Sequence, residues 1–195
     1  MDNKGAIDKT RIIIGTLAFL LYSHIVQMFI DKIGKGHYHT TSRLYDICHK
    51  YLPNYEKYEW IGNLYGLFVF LFILLKLSHS VLIVFELAAY IIPIYFVRSI
   101  FTLVTVLPKS STCVFNPFTA FMNGGCHDKI FSGHIAMIFV LTLLLNKYSI
   151  ISIPVLILLN FINVVIILLT RTHYTVDIIV SFLICYLMYT NNIRL

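Results

Sequence analysis

Residues 81–107 read VLIVFELAAYIIPIYFVRSIFTLVTVL, 27 positions carrying two charges, Glu86 and Arg98. As a helix this run would rise about 40 Å, more than a bilayer's hydrocarbon core demands, so it is long enough to tilt or kink. Pro93 lies inside it. On either side of it are runs of the same kind: Ile12–Ile30, Trp60–Leu75, Ile130–Leu145, Ile150–Thr170 and Tyr174–Met188. Lys4, Lys9 and Arg11 precede the first, and Trp60 and Lys76 bracket the second as interfacial anchors. The fourth and sixth runs are short, so either can be partly re-entrant. The pattern predicts an all-α fold: a polytopic membrane helical bundle of about six transmembrane helices, with residues 1–195 forming one integral membrane domain.

Composition agrees with that reading. The chain is 58% hydrophobic and 12% charged, with a mean hydropathy of +0.82, whereas a soluble domain carries about a quarter charged residues. A chain of 195 residues cannot hide this much apolar surface in one water-soluble core. The net charge of +6 comes from basic residues scattered between apolar runs, not from a stripe interleaved with aromatics. A nucleic-acid partner is therefore not expected, and basic caps meeting anionic headgroups account for the charge. No cleavable signal peptide is expected, because Ile12–Ile30 exceeds a signal h-region and no small-residue cleavage site follows. Six spans would put both termini on one face and the polar loops 31–59 and 108–129 on the other. Lys and Arg divide about equally between the faces, so charge leaves the orientation open. Cys113 and Cys126 share the second loop and can pair if it faces an oxidising compartment.

In so apolar a chain, polar residues at span ends carry the information. One cluster, Cys126-His127-Asp128-Lys129-Ile130-Phe131-Ser132-Gly133-His134, opens the fourth run, and another, Arg171-Thr172-His173-Tyr174-Thr175-Val176-Asp177, opens the sixth. His173 and Asp177 lie four apart, one helical turn, so the carboxylate can accept a hydrogen bond from one imidazole nitrogen. That fixes the tautomer and frees the other nitrogen as nucleophile or base. Ser132-Gly133 precedes His134 at a helix start, where unsatisfied N–H groups favour an anion. Lys129 and Arg171 are candidate countercharges. His24 and His79 read as interfacial, and the loop pair His37/His39 does not make a metal site. Glu86 is expected to pair within the bundle, with Arg98 as its candidate partner.

Ser132-Gly133-His134 followed by His173-x-x-x-Asp177 resembles the two downstream motifs of the type-2 phosphatidic-acid phosphatase superfamily. More narrowly, Cys126-x-Asp128-x-x-x-Ser132-Gly133-His134 and His173-Tyr174-Thr175-Val176-Asp177 resemble the sphingomyelin synthase and inositol-phosphorylceramide synthase branch. The segment from Arg98 through Thr105 to Leu107-Pro108, and Leu44-Tyr45-Asp46-Ile47 with Leu52-Pro53, are similar to two further motifs of that branch. The likeness runs from about Leu44 to Ile179. His127 stands where the synthases usually have Gly, and Ile135 where Thr is common.

The resemblance implies a lipid phosphotransferase moving a phospho-headgroup from a glycerophospholipid donor to ceramide or a related lipid alcohol. His173 would be the nucleophile, Asp177 would orient and charge-stabilise it, and His134 would be the acid and then the base. Ser132, Gly133, Asp128, Lys129, Arg171 and Arg98 make up the implied substrate- and phosphate-binding set. No metal and no cofactor is expected, and the partners are membrane lipids, with diacylglycerol as an alternative acceptor. The site is expected on the lumenal or exoplasmic side of an endomembrane (Golgi or endoplasmic reticulum) or the plasma membrane. A hydrolase of the phosphatase or phospholipase C type would use the same residues, and a non-catalytic membrane scaffold is the remaining alternative.

Overall fold

The apolar runs fold as helices. The computed structural model describes residues 9–37, 44–76, 80–108 and 126–194. Its elements run α1 (Lys9–His37), a short α2 (Ile47–Tyr51), a 3-10 turn (Glu56–Tyr58), α3 (Trp60–Lys76), α4 (Ser80–Val104), α5 (Gly133–Lys147), α6 (Ile153–Leu169) and α7 (Thr175–Thr190). No strand occurs among the described residues. Cys113, His39 and His79 lie outside them.

α5 is the axis of the packing. It touches α3, α4, α6 and α7, while α1 lies along α4 and α2 rests on α6. A helix surrounded in this way needs no polar face, and Ala136, Ile138, Val140, Leu141 and Leu144 are all buried. They meet Leu87, Ile91 and Ile94 from α4 and Cys185 and Met188 from α7.

Local chemistry sets the helix ends. α1 runs past its expected end at Ile30 because Asp31 and Lys35, one turn apart, form an ion pair of 2.6 Å. Gly34 is required near that end, since a Cβ there would lie 2.2 Å from the His127 ring. α5 begins at Gly133 rather than Ile130. Phe131 sits at φ 77°, outside helical space, and the Ser132 side chain accepts the Ile135 N–H at the cap. α6 starts at Ile153 with Pro154 in its first turn, where a missing N–H costs nothing.

Among the described residues, two helices, over Thr10–His37 and Val81–Val104, are long and apolar enough to cross a membrane. α5, α6 and α7 have 15, 17 and 16 residues, about 23–26 Å of rise against a hydrocarbon core of about 30 Å. The surface is inverted relative to a water-soluble protein. Leu17, Leu21, Phe68, Phe161 and Leu183 face outward, whereas Gln27, Asp31, Glu86, Arg98, Asn163 and Asp177 are buried. Both features are consistent with a membrane protein.

The expected pairing of Glu86 with Arg98 does not form. Twelve residues separate them, about 18 Å along one helix. Glu86 instead accepts from Lys147, Tyr148 and Arg194, which joins α4, the end of α5 and the C-terminal segment. Cys126 is disulfide-bonded, while Cys48 and Cys185 carry free thiols.

Candidate active site

His173 lies in the link between α6 and α7. The chain reverses there within a few residues because Arg171 adopts a left-handed φ of 56°. The His173 ring is buried, and its Nδ1 lies 2.6 Å from the backbone carbonyl of Lys129. A carbonyl can only accept, so Nδ1 carries the hydrogen and Nε2 keeps its lone pair. Among the described residues, Nε2 has no hydrogen-bond partner. The expected orienting partner, Asp177, is near but is not the one bonded: its Oδ2 is 3.7 Å from Nδ1 and accepts the Tyr174 N–H at 2.8 Å. The carboxylate caps α7 and supplies a negative charge beside the imidazole, while the loop carbonyl fixes the tautomer.

His134 is the second residue of α5, with its ring centroid 6.5 Å from that of His173. Several ties hold this helix start in place. The Ser132 N–H donates to Ser181 Oγ at 2.7 Å, and Ser181 donates to the Asp177 carbonyl at 2.7 Å, which joins the start of α5 to α7. Arg98 Nε donates to the Phe131 carbonyl at 3.1 Å. Tyr95 donates to the Gly133 carbonyl at 3.1 Å, and a Cβ at residue 133 would lie 2.8 Å from that hydroxyl oxygen and push it aside. With the Ile135 N–H taken by the cap, the N–H groups of Gly133 and His134 have no acceptor among the described residues, as an anion-binding helix start requires.

The cations expected around a phosphate are engaged with the protein's own oxygens. Arg98 pairs with Asp128, which also accepts from Gln27 on α1. Arg171 donates to the carbonyls of His49 at 2.6 Å and Leu52 at 3.1 Å, the last carbonyls of α2. Lys129 Nζ donates to the Thr172 carbonyl at 2.8 Å, which leaves two ammonium hydrogens for another acceptor. Burial pushes the Lys129 pKa down from its ordinary value, against the pull of Glu59, Asp128, Glu56 and Asp177. The structure thus brings His134, His173, Asp177, Lys129, Ser132 and Gly133 together. It places Arg98, Asp128 and Arg171 as ties behind them.

Several further residues serve the site. Asp46 caps α2 through the His49 N–H and accepts the Thr175 N–H at 2.7 Å and the Thr175 hydroxyl at 2.9 Å, so the first loop is fastened to the start of α7. Burial raises the Asp46 pKa, but these hydrogen bonds outweigh it and hold the carboxyl below its ordinary value. His49 Nε2 lies 3.1 Å from the His173 carbonyl. Asn163 donates to the His134 carbonyl at 3.3 Å, and Asn63 Oδ1 lies 2.7 Å from His134 Nε2. The two asparagines had a readable signal, because each is an amide within an apolar run. Among the described residues, no group of three His, Cys, Asp or Glu is arranged to hold a metal.

A pair of imidazoles, one backed by a buried carboxylate and the other at an open helix start, is an arrangement suited to phosphoryl chemistry. Residues 125–193 match the family model described as PAP2 superfamily C-terminal. The match supports membership of the PAP2 superfamily and a function of the lipid phosphatase or phosphotransferase type. A search of the curated proteins found no match to the chain.

Proposed function

We propose that the protein is a multi-pass membrane phosphotransferase that moves a phospho-headgroup from a glycerophospholipid to ceramide or a related lipid alcohol. The observation that carries this reading is His173 held by a carbonyl at Nδ1, with Nε2 unpartnered among the described residues and the ring centroid of a second imidazole 6.5 Å from its own. In the first half-reaction the Nε2 lone pair attacks phosphorus. An N–P bond forms, the P–O bond to diacylglycerol breaks, and His134 gives the departing oxygen its proton. In the second, His134 takes the proton of the acceptor hydroxyl, whose oxygen attacks phosphorus as the N–P bond breaks. Positive charge on His173 is offset by Asp177. Phosphoryl oxygens would meet the Gly133 and His134 N–H groups and the remaining Lys129 hydrogens.

The disulfide at Cys126 supports a site on the lumenal or exoplasmic side, because such bonds persist in oxidising compartments. Transfer over hydrolysis rests on the likeness of the 126–134 and 173–177 motifs to the synthase branch. The test incubates purified protein with headgroup-labelled phosphatidylcholine or phosphatidylethanolamine, with and without ceramide or diacylglycerol. Label on the acceptor lipid is the expected result. Release of free headgroup phosphate without acceptor would make the protein a hydrolase, and loss of neither activity in His173→Ala would end the phosphohistidine route.

A further inference from the structure

Asn63 stands in the first turns of α3, outside the segment matched to the family. Every side chain from Trp60 to Leu75 is apolar or aromatic except Asn63. The amide sits one turn from the interfacial Trp60 and is exposed, so what marks it is its partner. Its oxygen lies 2.7 Å from His134 Nε2, across 71 residues of sequence. Two neighbours set the rotation of α3 that aims it there. Tyr65 donates to the Leu159 carbonyl of α6 at 2.8 Å, and Gly62 presents its bare face to Ile166, where a Cβ would make contact at 3.9 Å. α6 also grips the backbone of His134 through Asn163. The ring is held from one helix and the main chain from another.

We propose that Asn63 is a positioning residue for His134: its amide oxygen takes the Nε2 hydrogen, fixes the ring plane, and leaves Nδ1 as the nitrogen that exchanges a proton with the lipid oxygen. The inference rests on the acid–base role proposed for His134. An amide does not titrate, so it holds the Nε2 hydrogen in both half-reactions, whether Nδ1 is protonated or bare. Without it the imidazole is free to turn and to exchange tautomers, and misplacement of the proton by an ångström costs on the order of a hundredfold in rate.

Two readouts test this. In detergent micelles, protein labelled with nitrogen-15 histidine should show neutral His134 protonated at Nε2, the resonance being assigned by its loss in His134→Gln. Asn63→Leu should average the two tautomers, and Asn63→Asp, which keeps an acceptor oxygen, should restore the single form. In turnover, Asn63→Leu should lower kcat roughly tenfold to a hundredfold at unchanged KM. An unchanged His134 spectrum in Asn63→Leu overturns the proposal, as does a wild-type kcat in that variant when His134→Gln is inactive. If no lipid substrate turns over in any form, the acid–base role of His134 fails, and the tautomer measurement still decides what Asn63 does.

Discussion

Replacing Asp177 by asparagine removes a charge from beside His173 while keeping the shape of the side chain, at the cost of a buried amide hydrogen pair where Oδ1 has no partner. The carboxylate is fully buried and caps α7 by accepting the Tyr174 N–H, a bond that an amide oxygen can also accept. Neutral His173 gains little from the charge, because its Nδ1 hydrogen is bound to the Lys129 carbonyl. The benefit arises when Nε2 attacks phosphorus and the ring becomes positive. At the 3.7 Å separation of Asp177 Oδ2 from Nδ1, and with an effective dielectric of about 20, two unit charges interact by about 4.5 kcal/mol. That corresponds to on the order of a thousandfold in kcat. The assay is headgroup transfer by purified Asp177→Asn, with thermal unfolding in the same detergent to show that the fold is kept. A kcat within about threefold of wild type would refute the reasoning, since the carbonyl alone would then suffice to prepare the nucleophile.

Other expectations concern the scaffold. Glu86→Gln should lower stability by roughly 1–3 kcal/mol, because Lys147 and Arg194 lose their shared counter-charge; thermal unfolding in detergent checks it. Gly34→Ala should destabilise by about 1–3 kcal/mol through collision with His127, whereas Gly36→Ala, with nothing within 4 Å, should be neutral or gain up to about 1 kcal/mol of helix propensity; equal unfolding temperatures for the two variants would contradict the packing described. The Asp46 carboxyl titrates below its ordinary value of 3.8, so its contribution is complete above that pH and is lost as the pH falls through the lower folded value. Asp46→Asn should therefore flatten the acid limb of a stability–pH profile below about pH 4. An unchanged slope there would show that Asp46 does not tie the first loop to α7.

The sequence made the order of the helices legible, because each long apolar run had one structural outcome. Spacing and resemblance singled out His134 and His173, and the structure brings their rings within 6.5 Å of each other. Lengths were less legible. α1 continues through Asp31 and Lys35, which look like loop residues until they pair along one helix face. The partners of charged residues were hidden for a different reason. Arg171 was expected to face phosphate, but the left-handed turn it adopts aims its guanidinium at the end of α2. Glu86 finds its cations at the end of α5 and near the C-terminus, contacts that depend on tertiary packing rather than on spacing along α4. Asn63 was legible in principle, as an amide in an apolar run, although its target was not.

The hydrogen bond that holds His173 ends on a main-chain oxygen, and this sets what substitution experiments can see. No side-chain replacement at residue 129 deletes that acceptor. A scan through 126–134 would register the loss of the Lys129 ammonium and leave the carbonyl in place. Natural variation at position 129 is likewise unconstrained by this bond, provided the loop keeps its path. An amide-to-ester replacement of the Lys129–Ile130 linkage would reach it, because an ester carbonyl is a weaker acceptor. The nucleophile's tautomer is thus set by the course of the backbone, a determinant that passes unmarked through any comparison of residue types.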